Sequence, residues 1–138
     1  MPCSDVTEEI RVILDKDERL AGYSLKKRTC GRSIGAPAVI ADELYGLDID
    51  YILSGEDDVL LGEKANARRA RKFIALKHLF ALRSALAAYK GLEGEFWKSV
   101  CAIAGIEYSD GEVVIDADIK IEMITENIVA CRSCRVTT

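Results

Sequence analysis

The sequence predicts an α+β protein: a small antiparallel β-sheet packed on one face by helices, with a helix-plus-strand extension on the C-terminal side. Three patterns carry that expectation. Residues 6–30 read as two strands around a polar turn, and residues 113–123 alternate apolar and polar side chains again. The stretch between them repeats its apolar residues at spacings of three and four, the period of a core-facing helix.

The first strand carries Ile10, Val12 and Leu14, and Asp15-Lys16-Asp17-Glu18-Arg19 supplies the turn. The return strand runs from about Leu20 to Thr29, with Tyr23 and Leu25 on one face. Cys3 lies just before the first strand and Cys30 just after the second, so antiparallel pairing brings both to one end of the hairpin. Gly35 to about Tyr45 is expected to be a short helix with Pro37 in its first turn and Gly46 as its stop. Asp48 can cap a second short helix that ends at Ser54-Gly55. The longest helical pattern runs from about Glu56 to Lys90, broken near Gly62, with Ala75, Leu79, Leu82, Leu86 and Tyr89 on its inner side. After a break at Gly91–Gly94, a further helix is expected through Phe96, Trp97, Val100, Cys101 and Ala104. Ser109-Asp110-Gly111 is a turn signal. The strand that follows either extends the sheet or buries its apolar face against a second chain, which would make a homodimer.

At 138 residues the chain is one domain, or one domain with an extension. A hydrophobic content of 49% with 30% charged residues suits a folded protein rather than a disordered one. The net charge of −4 argues against a surface that coats nucleic acid. No apolar run is long enough to span a bilayer, and no basic segment followed by an apolar one opens the chain, so a cytoplasmic location is expected.

Chemistry concentrates on five cysteines: Cys3, Cys30, Cys101, Cys131 and Cys134. In a reducing compartment an odd number at irregular spacing suits metal binding or thiol chemistry better than disulfides. Cys30, read as the junction of a strand and a helix, would sit at the positive end of the helix dipole, which favours its thiolate. Cys131 and Cys134 have the spacing at which two thiolates reach one tetrahedral ion, and Arg132 and Arg135 beside them favour ionisation. If the tail folds back, Cys3, Cys30, Cys131 and Cys134 form a four-thiolate site suited to zinc or an iron–sulfur cluster. Asp5 can add an oxygen ligand. Cys101 is expected to pack in the core, and His78, the single histidine, to lie at the surface or its boundary. Arg68, Arg69, Arg71 and Lys72 are either a solvated face or a docking patch for an acidic partner or anionic ligand. No Ser–His–Asp pattern and no phosphate loop is present.

The order Cys3-Ser4-Asp5-Val6, hairpin, Thr29-Cys30-Gly31, helix ending at Tyr45-Gly46, and late helix ending Ala85-Leu86-Ala87-Ala88-Tyr89 resembles the iron–sulfur cluster scaffold family IscU and the N-terminal domain of NifU. The resemblance covers roughly residues 2–90. It implies a scaffold domain over 1–92 and an extension over 93–138 packed on the same core. It further implies a non-catalytic scaffold or carrier for a 2Fe-2S type cluster, or zinc, with a cysteine desulfurase and apo-protein acceptors as partners. Cys3, Asp5 and Cys30 match the first two ligand motifs, with Ser4 and Thr29 where the family has glycine. The family's third cysteine falls at Phe73 or Ile74, so Cys131 and Cys134 are expected to replace it. Two alternatives remain: an interaction module on the same fold that docks a desulfurase or other enzyme, and a thiol-redox protein cycling Cys131 and Cys134.

Overall fold

In a computed structural model, which describes residues 7–29, 32–36, 38–91 and 101–120, five strands form one antiparallel sheet. β1 (Thr7–Leu14) and β2 (Leu20–Thr29) pair from Thr7↔Arg28 to Leu14↔Leu20. The alternation read from the sequence is real: Ile10, Val12, Leu14, Tyr23 and Leu25 are buried, and Arg11 between them is exposed. The Asp15 carboxylate closes the turn, accepting from the N–H groups of Asp17 and Arg19 at 2.9 Å each. Glu18 takes the left-handed conformation there, at φ 59°.

The expected helix over 35–45 is shorter than its pattern suggests, and its first two residues end a strand. β3 (Arg32–Ala36) pairs with β2 from Leu25↔Ala36 to Thr29↔Arg32, and only Ala41–Leu44 (α1) is helical. The reason lies in Pro37: a proline pushes the preceding residue out of the helical region into extended backbone, which suits Ala36 to the end of a strand.

Of the helix expected through Phe96, Trp97, Val100, Cys101 and Ala104, the first three residues lie outside the described residues, and Cys101 and Ala104 are on a strand. Cys101–Ser109 is β4, paired with β5 (Glu112–Ile119) from Cys101↔Ile119 to Ser109↔Glu112. The two residues of the turn, Asp110 (φ 50°) and Gly111 (φ 82°), both have positive φ. That is the type I′ geometry whose twist matches two flanking strands, so the Asp-Gly pair demands a strand before it as well as after. A shift between Ile103 and Gly105 breaks the strict alternation of β4 and mimics helical spacing in the sequence. β5 in turn pairs with β1, Ile10↔Ala117 and Val12↔Ile115, so it extends this chain's own sheet. The strand order is β3-β2-β1-β5-β4.

Helices cover one face. Asp48 caps α2 (Ile49–Ser54) by accepting from the N–H of Asp50. α3 (Asp57–Leu61) and a 3-10 turn over Gly62–Asn66 lead into α4 (Arg69–Lys90), which ends at Gly91 in the left-handed conformation. α4 lays Ala75, Leu79, Leu82 and Leu86 into a core shared with Ile10, Val12, Leu25, Ile115 and Ile119. Ala81 through Ala87 are buried without a break, because α4 packs against β1, β4 and β5 and also against α2 and α3.

Arg83 makes that second contact possible. It is buried, and its guanidinium donates to the carbonyls of Ile52 (2.9 Å) and Gly55 (2.6 Å) and to the Asp57 carboxylate. One side chain thus satisfies carbonyls at the end of α2 and meets the charge that opens α3. Replacing it, as in Arg83→Met, strands Asp57 and two carbonyls, so urea unfolding should show a loss of about 3 kcal/mol.

Candidate functional site

The site residues that the sequence singles out, Cys3, Asp5, Cys30, Cys131 and Cys134, lie outside the described residues. The strands that lead to and from them do not. Lys27, Glu8, Ile119 and Cys101 stand in one row across β2, β1, β5 and β4. At that end of the sheet the chain enters β1, leaves β2, enters β3, enters β4 and leaves β5. The opposite end carries the β1–β2 and β4–β5 turns. Every strand passage that adjoins a cysteine-bearing segment is therefore at the same end.

The expected activation of Cys30 by a helix is corrected. The next described element after it is β3, whose first residue Arg32 pairs with Thr29. No helix follows directly, so no helix dipole acts on this thiol from the adjoining chain.

The orientation of α4 is given by two ion pairs. Lys77 Nζ stands 3.0 Å from buried Glu8 at the cysteine end, and Lys90 stands 3.5 Å from Glu18 at the other. The helix therefore starts from the cysteine end, and its positive pole lies there. Arg68, Arg69 and Arg71 are exposed, whereas Lys72 is half-buried and 3.6 Å from Asp58. Phe73 is half-buried and Ile74 exposed; neither can ligate a metal.

Cys101, at the start of β4, is buried as expected, although on a strand. Burial, reinforced by the nearby Asp118 charge, pushes its thiol up to about 11. It is an unreactive thiol. Among the described residues no group of three or more histidine, cysteine, aspartate or glutamate side chains could hold a metal ion.

His78 is not a surface residue. It is buried on α4, with Nδ1 2.9 Å from the Tyr23 hydroxyl, which also accepts from the Ile40 N–H at 3.1 Å. Burial, with a contribution from Lys77, lowers its pKa to about 4, and burial likewise raises that of Tyr23. A neutral imidazole that accepts at Nδ1 from the Tyr23 O–H satisfies all three groups. The inward position of Tyr23 on β2 was the available signal, since a buried tyrosine hydroxyl needs a partner.

On the face of the sheet opposite the described helices, a groove of about 250 Å³ is lined by Glu9, Arg11, Lys26, Asp116 and Asp118, among others. Arg11 Nε donates to Asp116 Oδ1 at 2.8 Å across β1 and β5. The polar positions of the two alternating strands mark this face in the sequence, but the groove itself arises only when β1, β2 and β5 lie side by side.

No helix among the described residues is long and apolar enough to cross a membrane. Comparison with protein-family models, curated proteins and solved structures returns no match.

Two outcomes follow from the buried groups. The folded pKa of His78 lies below its unfolded value of 6.5, so the unfolded chain takes up the proton first. Stability contributed by neutral His78 is present above pH 6.5 and is lost as the pH falls to about 4. Urea unfolding of the wild type should therefore lose on the order of 2 kcal/mol more over that window than His78→Gln does. In the second, native alkylation with iodoacetamide at pH 8, followed by mass spectrometry, should leave Cys101 unmodified until denaturant is added.

Proposed function

We propose that this protein is a scaffold or carrier that holds a labile 2Fe-2S type iron–sulfur cluster, or a zinc ion, on the thiolates of Cys3, Cys30, Cys131 and Cys134, with Asp5 assisting. The observation that carries this reading is the convergence at one end of the sheet. β1 begins at that end a few residues after Cys3, and β2 ends there directly before Cys30. The segment bearing Cys131 and Cys134 departs there from β5. A contour of about 3.3–3.6 Å per residue lets the pair return to Cys3 and Cys30.

Charge supports the same reading. Four thiolates around such a cluster carry net negative charge, and the start of α4 brings a positive pole and exposed arginines to that end. The cluster is cargo: the chain need only bind it in a reducing compartment and release it. The resemblance to IscU and NifU adds a cysteine desulfurase as the sulfur source and apo-proteins as acceptors.

Anaerobic reconstitution with ferrous iron, sulfide and a reductant tests the reading through visible absorption and bound-metal analysis. The wild type and Cys101→Ala should gain colour and iron. Cys30→Ala and Cys134→Ala should lose most of both. A wild type that stays colourless and takes up neither iron nor zinc overturns the proposal.

A further inference from the structure

We propose that the start of α4 is a docking surface for an acidic segment of a partner protein that carries apolar residues among its carboxylates. Arg71 and Ile74 are three apart on α4 and so are neighbours on its surface, with Arg69 in the same first turn and Arg68 at the N-cap. All four are exposed, Ile74 at 46%. Among the described residues Arg68, Arg69 and Arg71 have no ion-pair partner, whereas Lys64, Lys72, Lys77, Arg83 and Lys90 on the same helical layer are all paired. The first turn of α4 contains no acidic residue and no side-chain cap. Three arginines at the positive pole of a 22-residue helix are the reverse of what helix stability favours. Local rules broken without compensation among the described residues point to a role outside the fold.

Charge complementarity chooses the occupant. The patch demands carboxylates or phosphates, but a long polyanion fits poorly here. The whole chain carries −4, and Asp57, Asp58 and Glu63 lie on the helical segments that lead into α4. A short acidic segment meets only the arginines. Ile74 adds an apolar contact that a phosphate backbone does not use and a leucine does. The same arginines are invoked in the metal-binding reading, but none of the docking residues is a thiol, so loss of a thiol leaves this surface in place.

The test is fluorescence anisotropy on the full chain with a labelled peptide of repeating Glu-Glu-Leu, and with one in which alanine replaces leucine. The leucine peptide should bind, more weakly as salt rises. The double variant Arg68→Glu, Arg71→Glu should lose at least about tenfold in affinity, while Lys16→Glu, an exposed lysine at the far turn, should not. The alanine peptide should bind several-fold more weakly than the leucine peptide, and Ile74→Ser should abolish that difference. Cys30→Ala should bind as the wild type does, which separates this surface from the metal site. Equal affinity in the charge-reversed variant overturns the proposal. So does a single-stranded oligonucleotide that binds the wild type more tightly than the peptide with the same dependence on Arg68 and Arg71.

Discussion

The double pairing of β1 is the constraint on which the rest of this fold depends. β1 is hydrogen-bonded to β2 on one side and to β5 on the other, and its inward residues Ile10, Val12 and Leu14 are all but completely buried. A slip of one residue would turn Arg11 into the core and Ile10 out of it, so the register is held by the hydrophobic effect as much as by the ladder bonds. With β1 fixed between two antiparallel neighbours, the direction of each strand in the sheet is fixed too, and α4 has one apolar surface to lie on.

The convergent end is a consequence of that register. Nothing local to Cys3, Cys30 or Cys131 says that their segments meet the sheet at the same place; the antiparallel order β3-β2-β1-β5-β4 does. α4 runs away from that end, tied by Lys77 to Glu8 and by Lys90 to Glu18, so its positive pole lies at the end where β1 begins and β2 ends. The buried polar groups serve the same assembly. Tyr23 and His78 join β2 to α4, Glu8 and Lys77 join β1 to α4, and Arg83 joins α4 to α2 and α3. Each places paired polar atoms between layers that hydrophobic contact alone would let slide. Among the described residues only Glu43 Oε2 is a buried side-chain polar atom without a hydrogen-bond partner, and its companion oxygen is paired with Lys64.

Much of this was legible in residue order. The β1–β2 hairpin, the Asp48 cap, the break at Gly62 and the inner face of α4 follow from alternation, capping chemistry and spacing. Two elements were misread because a second local signal outweighed the first. Ala36 precedes a proline, and the apolar spacing after Gly35 hid the strand this favours. Ser109 precedes an Asp-Gly turn, and the spacing of Phe96, Trp97, Val100, Cys101 and Ala104 looked helical. His78 was misplaced for a different reason: a polar residue on a helix reads as exposed unless its partner is known, and Tyr23 is distant in sequence.

The sequence by itself determined the α+β class, the thiol content, the buried face of each regular element and the basic start of α4, because these depend on residue type and short-range spacing. Tertiary structure alone decided that β5 pairs with β1 within one chain, that His78 is neutral and internal, and that β5 ends at the same end of the sheet as β2. Those outcomes depend on which strands become neighbours, and strand neighbourhood is set by burial summed over the whole core rather than by any stretch of residues read alone.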